Sequence, residues 1–368
     1  MQRMKNLLLH KLTCINTRFI AARSYRFGRR PSISGYYVSP EWFDRRLLLD
    51  KKNGNQNDLD VENLFGTEGR NRIKNDLFNK EQQFQRSSRT KIEKIEINLE
   101  KPFFNTKDSI LIMNADESTP YDCASHINEL LKNRSALAVI NKKIPWDMHR
   151  PLKESCNLSL IHFKHNDCMV ANLAFWRSCS MILASVIQNI FKKEHPCKII
   201  SIPMSDLKNG SFVCDAFVKN LDNWIATSQE ILSITSVLKD EVAKKSKFER
   251  LDVNFELAAK LFADNPYRMK EIESSIESSI ESDQKNPSKT FSIYRVGNYI
   301  DLSEGPMIAN TDQIGPIQLT AIHPLRTRDG HRFYRFQGIA LPKQLTLNAF
   351  AFSMLRDRAK VLNSYGLQ

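Results

Sequence analysis

The chain has 368 residues, 41% of them hydrophobic, and a formal charge of +13, which allows two or three domains with ordinary cores and argues against global disorder. Its uninterrupted apolar runs fall short of the roughly 20 residues that a bilayer-spanning helix needs, so a soluble chain without a membrane span is expected. Seven cysteines without a Cys-x-x-Cys speak against a disulfide framework or zinc knuckle and fit a reducing compartment.

The charge is unevenly placed. Arg3, Lys5, Lys11, Arg18, Arg23, Arg26, Arg29 and Arg30 precede the first acid, Glu41, and without those eight charges the +13 falls to +5. Acid-free, Arg-bearing sequence with apolar residues between the charges is the pattern of a mitochondrial presequence, expected over residues 1–30. Its cleavage is expected between about residues 20 and 40. The remaining body is only mildly basic, so charge alone is weak support for RNA.

Residues 31–90 read as a helical extension with a linker. Ser39-Pro40-Glu41 is a good helix start, with a hydroxyl cap followed by Pro in the first turn. Asn53–Asp60 is polar linker, and the following charged helix is expected to break or kink near Gly66 and Gly69. Its apolar positions Leu64, Ile73, Leu77 and Phe78 make a thin stripe that needs a partner.

Residues 91–163 read as a small α+β unit. "KIEKIEINL" and "SILIMN" alternate as strands of a hairpin, "STPYDCASHINELLKNR" is a helix capped by Ser118 or Thr119, and "ALAVINKKIPWDMHRPL" and "CNLSLIHF" return to strand. Strand, strand, helix, strand, strand in this length is a ubiquitin-like roll. His126 is read as packing. "HFKHNDC" offers at most three ligands, His162, His165 and Cys168, at a spacing that suits neither a helix face nor a knuckle. His162 is taken as a strand residue, and no metal or other cofactor is expected.

Residues 167–342 read as a larger α+β domain. It opens with an apolar helix through "LAFWRSCSMILASVI", continues in strands near "CKIISIPM" and "GSFVCDAFV", and has helices through "WIATSQEILSITSVLKDEVAKK" and "NFELAAKLFADNPYRMKEIESSIESSIES". Ile272, Ile276 and Ile280 recur every four residues as one apolar edge of a solvated helix. Strands resume at "FSIYRVGNYIDLSEGP", "GPIQLTAIHPL" and "RFYRFQGIALP", and residues 343–368 read as a basic C-terminal helix.

These pieces, in this order, resemble the N-terminal half of a threonyl-tRNA synthetase over roughly Lys91 to Pro342. "ALAVINKKIPWDMHRPL" is similar to its TGS domain. "FWRSCSMILASVI", "GSFVCDAF", "ELAAKLFADNPYRMKEIE" and "YRVGNYIDLSEGPMIANT" are similar to its editing domain. The resemblance implies a His-x-x-x-His pair on the first of these segments and a Cys-x-x-x-His pair on the last. The matching positions here are Arg177 and Met181, then Ser303 and Met307. Methionine is no general base, arginine stays protonated and serine lacks the thiol, so the implied editing chemistry is lost.

Only 26 residues follow Pro342, so a class II aminoacylation core is not expected in this sequence, and no nucleotide-binding glycine motif replaces it. The presequence-like start, "KNDLFNKEQQ", the TGS-like unit, the degenerate editing-like domain and "SEGPMI" together resemble a synthetase-like family of mitochondrial large-subunit ribosomal proteins. That resemblance implies a structural, non-enzymatic ribosomal constituent in the mitochondrial matrix, in contact with rRNA and neighbouring ribosomal proteins and with no small-molecule substrate. The competing readings are a freestanding tRNA-editing hydrolase and a tRNA-binding TGS regulator. Candidate RNA contacts are Arg326, Arg328, Arg332 and Arg335 in the basic loop "RTRDGHRFYR", with Lys343, Arg356, Arg358 and Lys360 in the tail. Each competes with an ordinary solvated charged face. Phe333 and Phe336 are assigned to packing rather than base stacking.

Overall fold

The computed structural model describes residues 67–88, 92–100, 109–165, 167–192, 194–203, 210–221, 223–281, 290–327 and 330–367. The expected presequence, the helix start at Ser39 and the linker lie outside them. The first described element is a continuous helix, α1 (Thr67–Ser87). It runs through Gly69, which is buried in its first turn, so no break occurs there, while Gly66 lies outside the described residues.

The small unit has β1 (Lys94–Leu99), β2 (Ser109–Asn114), α2 (Pro120–Ile127), α3 (Glu129–Arg134), β3 (Leu137–Ile140), β4 (Ile144–Trp146) and β5 (Cys156–Ile161). The strands form a mixed sheet in the order β2-β1-β5-β3-β4, with β1 and β5 parallel at its centre. The sequence suggested one helix where the structure has two. Asn128 adopts extended backbone, and its side chain accepts from the Leu130 N–H at 2.7 Å to start α3. A short amide that can cap the next turn competes with helix continuation at that point. Thr119 caps α2 in a reciprocal box with Asp122, worth about 1 kcal/mol. His126 is exposed in the last turn of α2 rather than packed, because the buried face is made by Cys123 and Ala124.

The larger unit opens with α4 (Met169–Ile190). This helix is apolar and long enough to cross a bilayer by composition, longer than the apolar run read from sequence, yet most of it is buried inside the protein. It packs on a sheet of β6 (Cys197–Ser201), β7 (Phe212–Val218) and two later strands, β11 (Ile314–Arg326) and β12 (Arg332–Pro342), in the order β11-β12-β7-β6. Between them come α5 (Ser228–Ala243), β8 (Phe248–Val253), α6 (Phe255–Phe262), α7 (Pro266–Glu281), β9 (Phe291–Val296) and β10 (Tyr299–Leu302). The single long helix expected from Asn254 onward is interrupted, since Pro266 cannot continue a helix and instead begins α7.

β8, β9 and β10 make a three-stranded antiparallel sheet. Phe78 of α1 is buried against its side chains Leu251, Val253 and Ile293, together with Phe262 and Ile272. This is the partner that the thin stripe of α1 required, and full burial of Phe78 contributes about 2–3 kcal/mol. Ile272 is buried and Ile276 half-buried, as one apolar edge. On the four-stranded sheet Gly338 admits no side chain, because a Cβ there would lie 2.5 Å from the Phe212 ring.

The final helix, α8, covers only Ala349–Arg358. The residues after it are not helical but bind back to the sheet. Gln337 Nε2 donates to the Ala359 and Val361 carbonyls at 2.6 and 2.7 Å, and Thr320 Oγ1 donates to the Ala359 carbonyl at 2.7 Å.

Candidate functional site

The small unit meets the larger one along the segment 303–309 that follows β10. Met307 N–H donates to Asp147 Oδ1 at 2.8 Å, Ala309 N–H donates to the Ala136 carbonyl at 3.1 Å, and Arg150 pairs with Asp252 at 2.9 Å. Ile308 N–H donates to Ser178 Oγ at 3.0 Å, and that hydroxyl in turn donates to the Ala174 carbonyl at 2.7 Å. Ser178 therefore pins the segment to the middle of α4. Gly305 is required in it, since its φ is +66° and an added Cβ would fall within 1.8 Å of the Tyr294 hydroxyl.

This crossing places the four positions singled out by resemblance around one cavity of about 260 Å³. Arg177 and Met181 come from α4, and Ser303 and Met307 from the segment beyond β10. Arg268, Glu271 and Glu304 also line it. Met181 and Met307 are buried at 1% exposure, and a thioether supplies no acid–base group. Arg177 donates to the Pro306 carbonyl at 2.8 Å and, among the described residues, forms no ion pair. Burial lowers its pKa from the ordinary arginine value. The Ser303 hydroxyl accepts from the Gly305 N–H at 3.3 Å.

Behind the cavity lies a buried polar network that the sequence reading missed. Tyr294 donates to both Asp147 oxygens at 2.8 and 3.0 Å, and Arg250 donates to the Tyr294 oxygen at 3.2 Å and to Ser292 Oγ at 2.6 Å. Burial raises the Asp147 pKa, opposed by the Met307 N–H and by Arg250. In the cavity wall, the buried Arg268 pairs with Asp301 and Glu271 at 2.7 Å each. Burial opposes its charge, but these two carboxylates outweigh that effect and raise its pKa. A larger, polar cavity of about 580 Å³ sits elsewhere, between α1, α4, α5 and the β9–β10 turn, with Asn71, Asn75, Asn189, Glu241 and Asn298 in its wall.

The basic candidates divide into several kinds. Arg335 is excluded from any nucleic-acid contact in the folded chain. It is 0% exposed, makes a bidentate pair with Asp215 at 2.7 Å for both bonds and donates to the Asn363 and Tyr365 carbonyls at 2.6 and 2.9 Å. It lies on β12, and Arg332 at the start of that strand is half-buried, donating to Asn223 at 3.1 Å. Arg326 is exposed at the end of β11, and Arg328 falls outside the described residues. Lys343 is exposed and shares Asp312 with Lys245, at 2.9 and 3.4 Å. Arg358 and Lys360 are exposed and Arg356 half-buried, with Lys360 pairing to Asp357 at 2.9 Å. Phe333 and Phe336 are buried in the sheet.

His162 follows β5 and contacts the Arg134 guanidinium. Burial, then that charge, lower its pKa to about 4. All six described cysteines are free thiols, and burial pushes Cys123 up to about 12.

No family model matches the chain. The cytoplasmic threonine–tRNA ligase 1 of Bos taurus is 25% identical over 229 residues, 61% of this chain and 28% of the ligase. A probable cytoplasmic threonine–tRNA ligase 1 of Dictyostelium discoideum is 27% identical over 255 residues, 67% of this chain and 32% of its own length. The chain thus spans less than a third of either ligase. The large ribosomal subunit protein mL39 of Drosophila melanogaster is 39% identical over 300 residues, which cover 81% of this chain and 86% of that protein. With a match of that identity running through most of both sequences, while the ligases align only in part, the chain belongs to the mL39 family of large ribosomal subunit proteins.

Proposed function

We propose that the chain is a structural constituent of the mitochondrial large ribosomal subunit, working in the matrix through contacts to rRNA and neighbouring proteins. The observation that carries this is the 39% identity to the Drosophila protein over 86% of that protein's length. The sheet order β2-β1-β5-β3-β4 with its central parallel pair supports a TGS-like roll for residues 91–163, and the 25–27% identity to the ligases supports an editing-like origin for residues 167–342. On this reading Arg177, Met181, Ser303 and Met307 mark a site without its reactive side chains, and the protein is no enzyme. RNA contact falls first to Arg326 and Lys343, which are exposed, with Arg332 contributing from partial burial, while Arg356, Arg358 and Lys360 flank the C-terminal helix, where rRNA or a neighbouring protein can meet them. Lys and Arg on phosphate would supply affinity without sequence reading.

The full-length protein expressed in mitochondria should co-sediment with the large subunit in a sucrose gradient and remain there at moderate salt. A pool confined to the top of the gradient would overturn the assignment. Purified protein should not deacylate seryl-tRNA, and a turnover abolished by Arg177→Ala would show that the cavity still catalyses.

A further inference from the structure

Helix α8 is the element that its own domain covers least. None of its ten residues is buried. Ala351, Phe352 and Leu355 turn a half-buried side inward, while Phe350 and Met354, at i and i+4 on the other side, are 74% and 60% exposed. The chain continues through a loose turn in which the Val361 N–H donates to the Arg358 carbonyl at 3.2 Å, and Val361, just beyond the helix, is 73% exposed. Single exposed apolar residues are ordinary, but several along one ridge need an occupant.

The ridge is held firmly. Asn348 caps α8, accepting from the Ala351 N–H at 2.7 Å. Beyond the helix, the Arg335 and Gln337 side chains clamp the carbonyls of Ala359, Val361, Asn363 and Tyr365 to the sheet. Basic side chains border it: Arg356, Arg358 and Lys360 stand around one acid, Asp357. The negative end of the helix dipole accounts for cations at this terminus. It does not account for Phe350, Met354 and Val361.

We propose that this ridge docks into an apolar groove of a neighbouring protein whose rim carries Asp or Glu facing Arg358 and Lys360. The mode is helix-in-groove, with Phe350 and Met354 as anchors. A second copy of this chain would bring one basic border against another. RNA would engage the cations and stack a base on Phe350, but Met354 and Val361 offer neither a hydrogen-bond donor nor a stacking plane, so RNA would leave those two side chains unburied. This proposal rests on the ribosomal assignment above.

Peroxide footprinting of the full-length protein, free and within isolated large subunits, tests it. Met354 should oxidise readily in the free chain and about tenfold more slowly in the subunit. Met354 equally reactive in both, in a protein that does sediment with the subunit, overturns the docking and leaves the ribosomal assignment standing. Failure to sediment overturns the assignment and the docking with it. A photoreactive benzoylphenylalanine in place of Phe350 should then crosslink to a neighbouring protein at an apolar segment bordered by acidic residues. A crosslink to RNA, to residues 1–66 of the same chain or to a second copy overturns the proposed occupant. Arg358→Gln with Lys360→Gln should reduce the crosslink, while the melting temperature of the free protein falls by no more than about 4 °C from the lost dipole and Asp357 contacts.

Discussion

Four hydrogen bonds hold the Arg335 guanidinium, whereas among the described residues Arg177 has one, to a carbonyl. Arg335 sits at 0% exposure, ties β12 to Asp215 on β7 and holds two carbonyls of the C-terminal tail. Arg177 reaches the Pro306 carbonyl across the wall of a cavity of about 260 Å³. The first arginine closes a piece of the fold. The second lines a cavity with a single hydrogen bond, where a substitution is expected to cost the fold little. A guanidinium is costly to bury and costlier to leave half-matched, so the two predict opposite responses to the same kind of substitution.

The largest expected effect follows from the clamp. Arg335→Ala leaves Asp215 buried without its partner and releases the Asn363 and Tyr365 carbonyls, which should cost about 3–5 kcal/mol, measured as a drop in the urea midpoint. A loss below about 1 kcal/mol would mean that water replaces the network and that the contrast with Arg177 is false.

Arg134 offers an intermediate case, because its neighbour is an imidazole rather than a carboxylate. The folded-state pKa of His162 is lowered to about 4 by burial and by Arg134, against about 6.5 in an unfolded chain. Above about pH 6.5 both states hold a neutral ring and nothing is lost. As pH falls from there toward 4, the unfolded state takes up the proton first, so stability declines across that window and then levels off. Partial exposure of the ring reduces the effect to about 2 kcal/mol. His162→Asn should remove this part of the acid slope in thermal melts from pH 7 to pH 4, and an unchanged slope would assign it to another group.

How much of this was legible in sequence depended on how far apart the interacting residues lie. The strands of both units and the core helix α4 follow from local periodicity, and the Thr119 cap was within reach of it. The helix break at Asn128 turned on one amide that could cap the next turn, a choice that periodicity does not register. "RTRDGHRFYR" looked like a solvated basic loop because its partners, Asp215, Asn363 and Tyr365, lie from 28 to 120 residues away. On a strand, Arg335 and Gln337 share one face, and that face is the one the tail covers. The four cavity positions came from resemblance alone. Arg268, Asp147 and Tyr294 gave no local signal, since a titratable side chain next to an aromatic or apolar neighbour occurs all along this chain.

The smallest expected effect is the one that tests what remains of the cavity. Arg177→Met exchanges a guanidinium whose charge burial disfavours for an apolar side chain beside Met181 and Met307. It loses one charge-assisted hydrogen bond to the Pro306 carbonyl and relieves the desolvation of the cation, two terms of about 1–3 kcal/mol with opposite sign. The net change in unfolding free energy should therefore lie within about 1 kcal/mol of zero, with unaltered sedimentation with the large subunit. A loss of about 3 kcal/mol or more would show that Arg177 holds the segment 303–309 in place as Arg335 holds the tail. Retained stability with loss of sedimentation would instead make the cavity mouth part of the surface through which the protein is held.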